Sequence, residues 1–316
     1  MKTFETINAG FNTVFQPNRL SIGLVVPIEE YSNSTAPQMQ HHLGRVKLAE
    51  TLGYKAVWVR DVPMHMPSFG DAGQMYDPFT YLGFLAGQTS TITLGTSSIA
   101  LPLHHPVHVA KSAATLDQLT SGRFIMGVAS GDRPEEYPAM NIDFPQRGKA
   151  FREAFDYIRQ VQLDFPKVEN TYGNLNGTMD VLPKPYGTKI PMLITGHSQQ
   201  TTAWVAEYGD GWMYYPRNLY MQEYNITEWR NLIPQSYQFD KPFLQPLYVD
   251  LHQNDDFKPV GIHLGIRTGA NYLIEYLTQL QSIGVNHVAI NLRFNQADIE
   301  NTIEALASKV LSTFHD

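Results

Sequence analysis

Short apolar runs alternate with longer stretches of helical period along almost the whole chain. The runs are LSIGLVV from Leu20, AVWVR from Ala56, ITLGTSSIAL from Ile92 and RFIMGVA from Arg123, then MLITG from Met192, GWMYY from Gly211, FLQPLYVDL from Phe243 and VNHVAINL from Val285. Brief, β-branched and aromatic-rich runs of this kind predict buried strands. Between them lie the helical patterns MQHHLGRVKLAETLG, PFTYLGFLAGQTS, PVHVAKSAATLDQLTSG, RGKAFREAFDYIRQVQ, QQTTAWVAEYG and NYLIEYLTQLQSIG. Gly53, Gly122, Gly209 and Gly284 follow the last apolar position of a helix, where a left-handed stop is expected. Strict alternation implies a parallel sheet, and eight strands in 316 residues is the count of an α/β protein with a (β/α)8 TIM barrel. The rival, a doubly wound open sheet, wants a glycine-rich phosphate loop after the first strand, and LVVPIEEYSNS contains none.

The pattern predicts one domain over residues 1–316, with 1–19 as a lead-in and an insertion after the fourth helix. That insertion, about 164–190 (DFPKVENTYGNLNGTMDVLPKPYGTKI), is rich in Pro, Gly and Asn. A second long connection covers about 252–261. Loops this long in compact domains serve as lids or binding loops, so 164–190 is the candidate lid.

A barrel places its site at the carboxyl ends of the strands. At the end of the third run, Ser97 and Ser98 stand where a core strand would carry valines, and each buried hydroxyl needs a partner. After the second run comes RDVPMHMPSFGDAGQ, from Arg60. After the fourth comes SGDRPEEYPAMNIDFPQR, in which Ser130, Arg133 and Arg147 suit an anion while Asp132, Glu135 and Glu136 are possible acids. A solvated loop with internal ion pairs explains the same run. The fifth leads into TGHSQQTTAW. There Gly196 permits a tight turn and Ser198 would cap a helix whose first turn holds Thr201, leaving free N–H groups for a phosphate. An ordinary N-cap has the same signature.

Composition narrows the partners. The net charge is −7 and no Lys/Arg stripe occurs, which argues against nucleic acid and anionic membranes. The N-terminus lacks the apolar run of a signal peptide and no window approaches a membrane span, so a soluble, cytoplasmic protein is expected. Cysteine is absent, which removes disulfides, thiolate metal sites and a cysteine nucleophile and suits a reducing compartment. The histidines form neither an HxH pair nor HExxH, so no catalytic metal is expected, and no GxSxG elbow anchors a hydrolase triad.

Together the strand ends resemble the bacterial luciferase-like flavin monooxygenases, from about Leu20 to Leu292. GTSSIALPLHHPVHVAKSAATLDQLTSGRFIMGVASGDRPEEY (Gly95 to Tyr137) carries most of the likeness, and SQQTTAWVAEYGDGW from Ser198 is the second match. The resemblance implies a cis peptide bond between Ser97 and Ser98 beneath a flavin ring; a trans pair bonded to neighbouring strands is the other reading. It implies that Ser198, Thr201 and the backbone of His197, beyond the Gly196 turn, meet the flavin phosphate together with Arg147. Ser130 stands where relatives carry another arginine. Asp61 matches an acid of the family, but Val62 occupies the position of its histidine, and His65 lies close by. Ala129 replaces a reactive cysteine of the light-emitting enzymes. Asp61, His65, Arg133 and His105 are the candidates for proton handling or substrate anchoring.

The activity so implied is a monooxygenase that takes reduced FMN from a separate flavin reductase and uses O2 on a small organic substrate. A deazaflavin-dependent hydride-transfer dehydrogenase and a flavin-binding protein without turnover remain open. The resemblance also implies a homodimer through the helices MQHHLGRVKLAETLG and PFTYLGFLAGQTS.

Overall fold

Residues 3–69 and 76–315 are described in the computed structural model. Eight strands line the barrel: β1 (Ser21–Val25), β2 (Ala56–Val59), β3 (Thr93–Ala100), β4 (Phe124–Ala129), β5 (Met192–Thr195), β6 (Gly211–Met213), β7 (Phe243–Leu251) and β8 (His287–Asn291). Each pairs in parallel with the next, and β8 returns to β1 through Ser21↔His287 and Ile22↔Val288. The sheet is closed, which excludes the open doubly wound alternative. One helix follows each strand: α1 (His42–Thr51), α2 (Pro78–Ala86), α3 (Pro106–Leu119), α4 (Arg147–Gln160), α5 (Thr202–Tyr208), α6 (Leu219–Asn231), α7 (Ala270–Ser282) and α8 (Ile299–Leu306).

Two of these helices, α6 and α8, are not among those the apolar pattern proposes. In α6 only Gln222, Ile226 and Trp229 are buried, too sparse a stripe to stand out. Gly53, Gly122 and Gly284 end their helices at φ +87°, +84° and +99°, as expected of left-handed stops. Gly209 does not: at φ −70°, ψ 146° it is extended and hands the chain directly to β6.

The barrel interior is filled by side chains from alternate strand positions, and glycines make the room. A Cβ on Gly95 would lie 2.4 Å from the Trp58 ring, and one on Gly23 would lie 2.8 Å from His287 Nε2. The fully buried Trp58 donates its indole N–H to His287 Nε2 at 2.9 Å, and His287 Nδ1 lies 2.6 Å from Ser21 Oγ. Because the indole is only a donor, the imidazole is neutral with its proton on Nδ1. Burial drives its pKa down to about 3.

The lead-in closes the amino-terminal end. A short helix, Ala9–Val14, brings Phe11, Val14 and the following Phe15 against Trp58, Ile125 and Leu244. Asn8 caps that helix and donates to Asp117 Oδ1 at 2.9 Å, while the N–H of Tyr186 donates to Asp117 Oδ2 at 2.8 Å. The Asp of LDQL is therefore a structural tie between the lead-in, α3 and the insertion.

The insertion carries a two-stranded hairpin, Lys167–Asn170 with Gly173–Asn176. Lys111 and Gln118 of α3 hydrogen-bond to its carbonyls at Leu182 and Lys184, and Asn170 bonds to the Glu153 carbonyl of α4. It lies along the outside of α3 and α4, and none of its residues lines the barrel mouth. The lid expected at 164–190 is thus not where the structure puts that segment. A different hairpin, Val260–Ile262 with Gly265–Thr268, extends the edge of β7 and overhangs the mouth. No helix of the described residues is long and apolar enough to cross a membrane.

Candidate active site

The carboxyl ends of the strands open on a cavity of about 480 Å³. Its floor is built by strand termini, including Val25, Ser97, Thr195, Met213 and Asn291. Arg60, Phe69 and Asp132 form one side. Tyr214, Tyr215 and Arg217 after β6, with Tyr248 of β7 and His263 and Leu264 of the overhanging hairpin, form the other.

The two serines of β3 stand at this cavity, and Ser98 finds its partners here. The β3–β4 ladder runs to Thr96↔Met126, shifts register, and resumes at Ile99↔Val128. The peptide bond inside that shift, Ser97–Ser98, is cis, in agreement with the expectation. Ser97 faces the cavity, while Ser98 Oγ hydrogen-bonds to Thr195 Oγ1 and lies 3.8 Å from Met213 Sδ. The Ser98 hydroxyl therefore links the ends of β3, β5 and β6, and Ser97 lines the cavity, so neither fills a core.

Asp61, one residue past Arg60 in the loop after β2, accepts hydrogen bonds from His104 Nε2 at 2.7 Å and from the Ala100 N–H at 3.0 Å. The Asp61 side chain is 3% exposed and that of His104 28%. Burial disfavours a charged ring, but the hydrogen bond and negative charge of Asp61 outweigh it and hold His104 above the ordinary histidine value. Nothing local in the sequence marks His104; only its pairing with a carboxylate 43 residues earlier distinguishes it.

Beyond β4, Arg133 is buried with its guanidinium 4.8 Å from the Phe69 ring. Glu136 is buried too. Desolvation raises its pKa against the opposing charge of Arg133, the N–H of Met64 bonds to its carboxyl, and Oε1 is without a partner among the described residues.

A cradle forms where α4 begins. The Arg147 guanidinium stacks 3.8 Å over Phe144, Nη1 donates to the Phe144 carbonyl at 3.1 Å, and Nε is buried with no partner among the described residues. A Cβ on Gly148 would lie 2.7 Å from Gln199 Cβ, and Gln200 Nε2 donates to the Gly148 carbonyl at 2.7 Å. The start of α4 is thereby pressed against the His197–Gln200 loop, whose Ser198 and Gln199 have φ of +48° and +61°. This loop adjoins the cavity: Ser198 Oγ donates to the carbonyl of Thr195, and the His197 ring packs edge-on against Tyr214 at 5.6 Å. Burial lowers the pKa of His197.

Some expected roles shift. Ser198 does not cap α5; Thr201 does, accepting the Trp204 N–H at 3.2 Å, because Ser198 lies outside the helix in a left-handed turn. Ser130 is buried, and its carbonyl accepts the Tyr137 hydroxyl. His105 is turned away: it caps α3 through Nδ1, and Nε2 lies 3.0 Å from the Tyr172 carbonyl of the insertion. His65 is exposed, 3.3 Å from Thr35 Oγ1, and does not line the cavity. Gly70 to Gln74 of the same run lie outside the described residues. Arg217, Tyr248 and His263 escaped sequence reasoning. Nothing local in the sequence marks any of the three as part of a site. Among the described residues, no cluster of His, Asp and Glu could hold a metal.

A closed (β/α)8 barrel with a carboxyl-end cavity, a cis pair of serines in its wall and an arginine–loop cradle beside it defines a small-molecule site of the TIM-barrel class. The chain belongs to the luciferase-like monooxygenase family, whose model matches residues 20–235. It is 35% identical over 116 residues to the alkanal monooxygenase beta chain of Photorhabdus luminescens, covering 37% of this chain and 34% of that one. The match thus spans about a third of that relative's length. An uncharacterized protein of Mycobacterium tuberculosis is 30% identical over 196 residues, 56% of this chain and 68% of its own. In fold the chain is similar to the F420-dependent secondary alcohol dehydrogenase solved with an F420-acetone adduct (TM-score 0.76, 18% identity, 94% of this chain and 100% of that one). It is also similar to the oxygenating constituent of 3,6-diketocamphane monooxygenase from Pseudomonas putida, solved with FMN (TM-score 0.72, 12% identity, 94% and 99%).

Proposed function

We propose that this protein is a monooxygenase that binds reduced FMN supplied by a separate reductase and uses O2 to oxygenate a small organic substrate. The observation that carries this reading is the cradle of Arg147 and the His197–Gln200 loop beside a cavity walled by Ser97. The orphaned Arg147 Nε and the loop are what a flavin phosphate asks for. The cavity, floored by Val25, Met213 and Leu244, suits a flat conjugated ring. FMN, when bound, supplies the redox chemistry. Arg147, with Ser198, Thr201 and the backbone of Gly196 and His197, would hold the phosphate; Ser97 and Ser98 would carry the ring on a fixed backbone, with Ser130 nearby behind the wall. The Asp61–His104 pair keeps a proton at Nε2 between the ends of β2 and β3. Arg133 backs Phe69 in the cavity wall. Tyr214, Tyr248 and the overhanging hairpin narrow the mouth and exclude water.

The test is an anaerobic titration with reduced FMN, followed by admission of O2 in the presence of small aldehydes and ketones. Tight binding with oxygen uptake and oxygenated product supports the reading. Failure to bind reduced FMN overturns it, and binding without any oxygen chemistry assigns a flavin-binding role instead. The deazaflavin alternative has its own footing in Arg60 and Arg217, two cations in the cavity wall that an anionic cofactor tail could engage. Deazaflavin run in parallel, binding where FMN does not, would move the protein to hydride transfer. The proposal includes a cytoplasmic homodimer, formed through α1 and α2, where Phe84 stands 46% exposed.

A further inference from the structure

A second groove, also of about 480 Å³, lies on the far side of the overhanging hairpin. It shares Pro216, Arg217, Leu247 and Leu264 with the cavity at the barrel mouth, so the two compartments meet at one wall. Each lies within the span of small-molecule sites, about 300–1,000 Å³. The hairpin is pressed onto β7 at Gly265, where a Cβ would fall 1.9 Å from the Tyr248 carbonyl oxygen, while at Gly261 it faces open space. The groove is therefore tightly bounded at Gly265 and has open space at Gly261.

The chemistry of the two compartments differs. The outer one is lined chiefly by proline and aliphatic side chains, among them Pro259, Leu264 and Ile266. Its one charged residue is Arg217, which stands at the shared wall. The Arg217 guanidinium lies 5.5 Å from the Tyr214 ring and makes no ion pair among the described residues. Toward the cavity the other charged or titratable wall groups are Arg60, Asp132, His263 and the three tyrosines Tyr214, Tyr215 and Tyr248. A cation set at the junction of an apolar groove and a reaction chamber recognises an anionic group on an otherwise apolar molecule.

We propose that the outer groove binds an organic carboxylate ligand, its apolar body in the groove and its anionic end held by Arg217 at the shared wall. The groove and its preference for a carboxylate stand independently of the monooxygenase reading.

The test uses the purified full-length chain and two probes of equal length, decanoate and decanol, below their aggregation limits, with calorimetric titration in parallel with reduced FMN. Decanoate is expected to bind about ten-fold more tightly than decanol, the size of one charge-assisted contact. Arg217→Gln should bring the two probes together, and Arg217→Lys should keep part of the preference. Gly261→Phe, which places a ring in the open outer groove, should weaken both probes and leave FMN affinity in place. Equal binding of the two probes, or probe affinity untouched by Gly261→Phe, would overturn the proposal. So would an Arg217→Gln variant that loses FMN and decanoate equally, because Arg217 would then belong to the cofactor. If the decanoate pattern holds while reduced FMN fails to bind, the proposed function falls and the groove stands.

Discussion

Asp61 Oδ2 and His104 Nε2 lie 2.7 Å apart, joining the end of β2 to the turn after β3. The same oxygen takes the Ala100 N–H, so one carboxylate both holds the ring and pins the backbone just past the cis serine pair. Asp61→Asn should lower the His104 pKa, because the charge that offsets burial is gone. A proton-detected NMR titration of the imidazole measures this; an unmoved His104 would detach the pair from each other. The sign for stability follows from a raised histidine pKa. The pair's contribution is complete below the ordinary value of about 6.5 and fades as the pH rises through the folded value.

His287 gives the opposite dependence. Its folded pKa of about 3 lies below the unfolded value, so above about 6.5 both states are neutral and nothing is lost. As the pH falls, the unfolded chain takes a proton that the native barrel refuses. Between pH 6.5 and 5 the native state should lose about 2 kcal/mol from this histidine. His315, lowered to about 4 chiefly by burial, pushes the same way. Urea denaturation at the two pH values tests it, and a flat profile would contradict the buried neutral ring.

Gly95 should be intolerant even of alanine. The added methyl would meet the Trp58 ring at 2.4 Å, and Trp58 is held by its bond to His287. Overpacking of this kind costs about 1–3 kcal/mol. A Gly95→Ala variant that melts at the parent temperature would show that the interior has slack.

Arg147→Ala is expected to weaken FMN by about 10- to 100-fold, the loss of one charge-assisted contact, while riboflavin, which lacks the phosphate, should bind as before. The difference between the two ligands is the measurement. An equal loss for both would take Arg147 out of the phosphate site.

Gly148→Ala probes the same cradle without removing a ligand. Its methyl would sit 2.7 Å from Gln199 Cβ and force α4 away from the His197–Gln200 loop. FMN affinity should fall while the cavity floor stays intact, so riboflavin again serves as the control. Unchanged FMN affinity would mean that the contact between the two segments is unrelated to binding.

The barrel was legible because each strand needs an apolar run and each helix its own period. These are local properties, and their alternation admits few arrangements. Even so, α6 escaped notice, since a helix burying only Gln222, Ile226 and Trp229 has little amphipathic signature. In the run GTSSIALPL two hydroxyls in a strand that should be apolar marked the place, and the cis bond between them was what the family resemblance implied. Arg147 was one of several anion candidates in its run until the same resemblance singled it out.

Other parts of the site were settled by through-space distances that no local pattern encodes. Nothing in the sequence around His104 signals that folding sets it against Asp61. His105, its neighbour, became a helix cap turned to the insertion. Composition pointed to 164–190 as the lid, yet that segment lies outside α3 and α4, while the hairpin that begins at the end of the second long connection supplies His263 and Leu264 to the cavity. The order of strands and helices, the apolar interior and the hydroxyl-bearing end of β3 were thus determined by the chain itself. Which loop overhangs the mouth, which histidine meets the carboxylate and where Arg217 stands were decided only when closure of the barrel brought the ends of distant strands together.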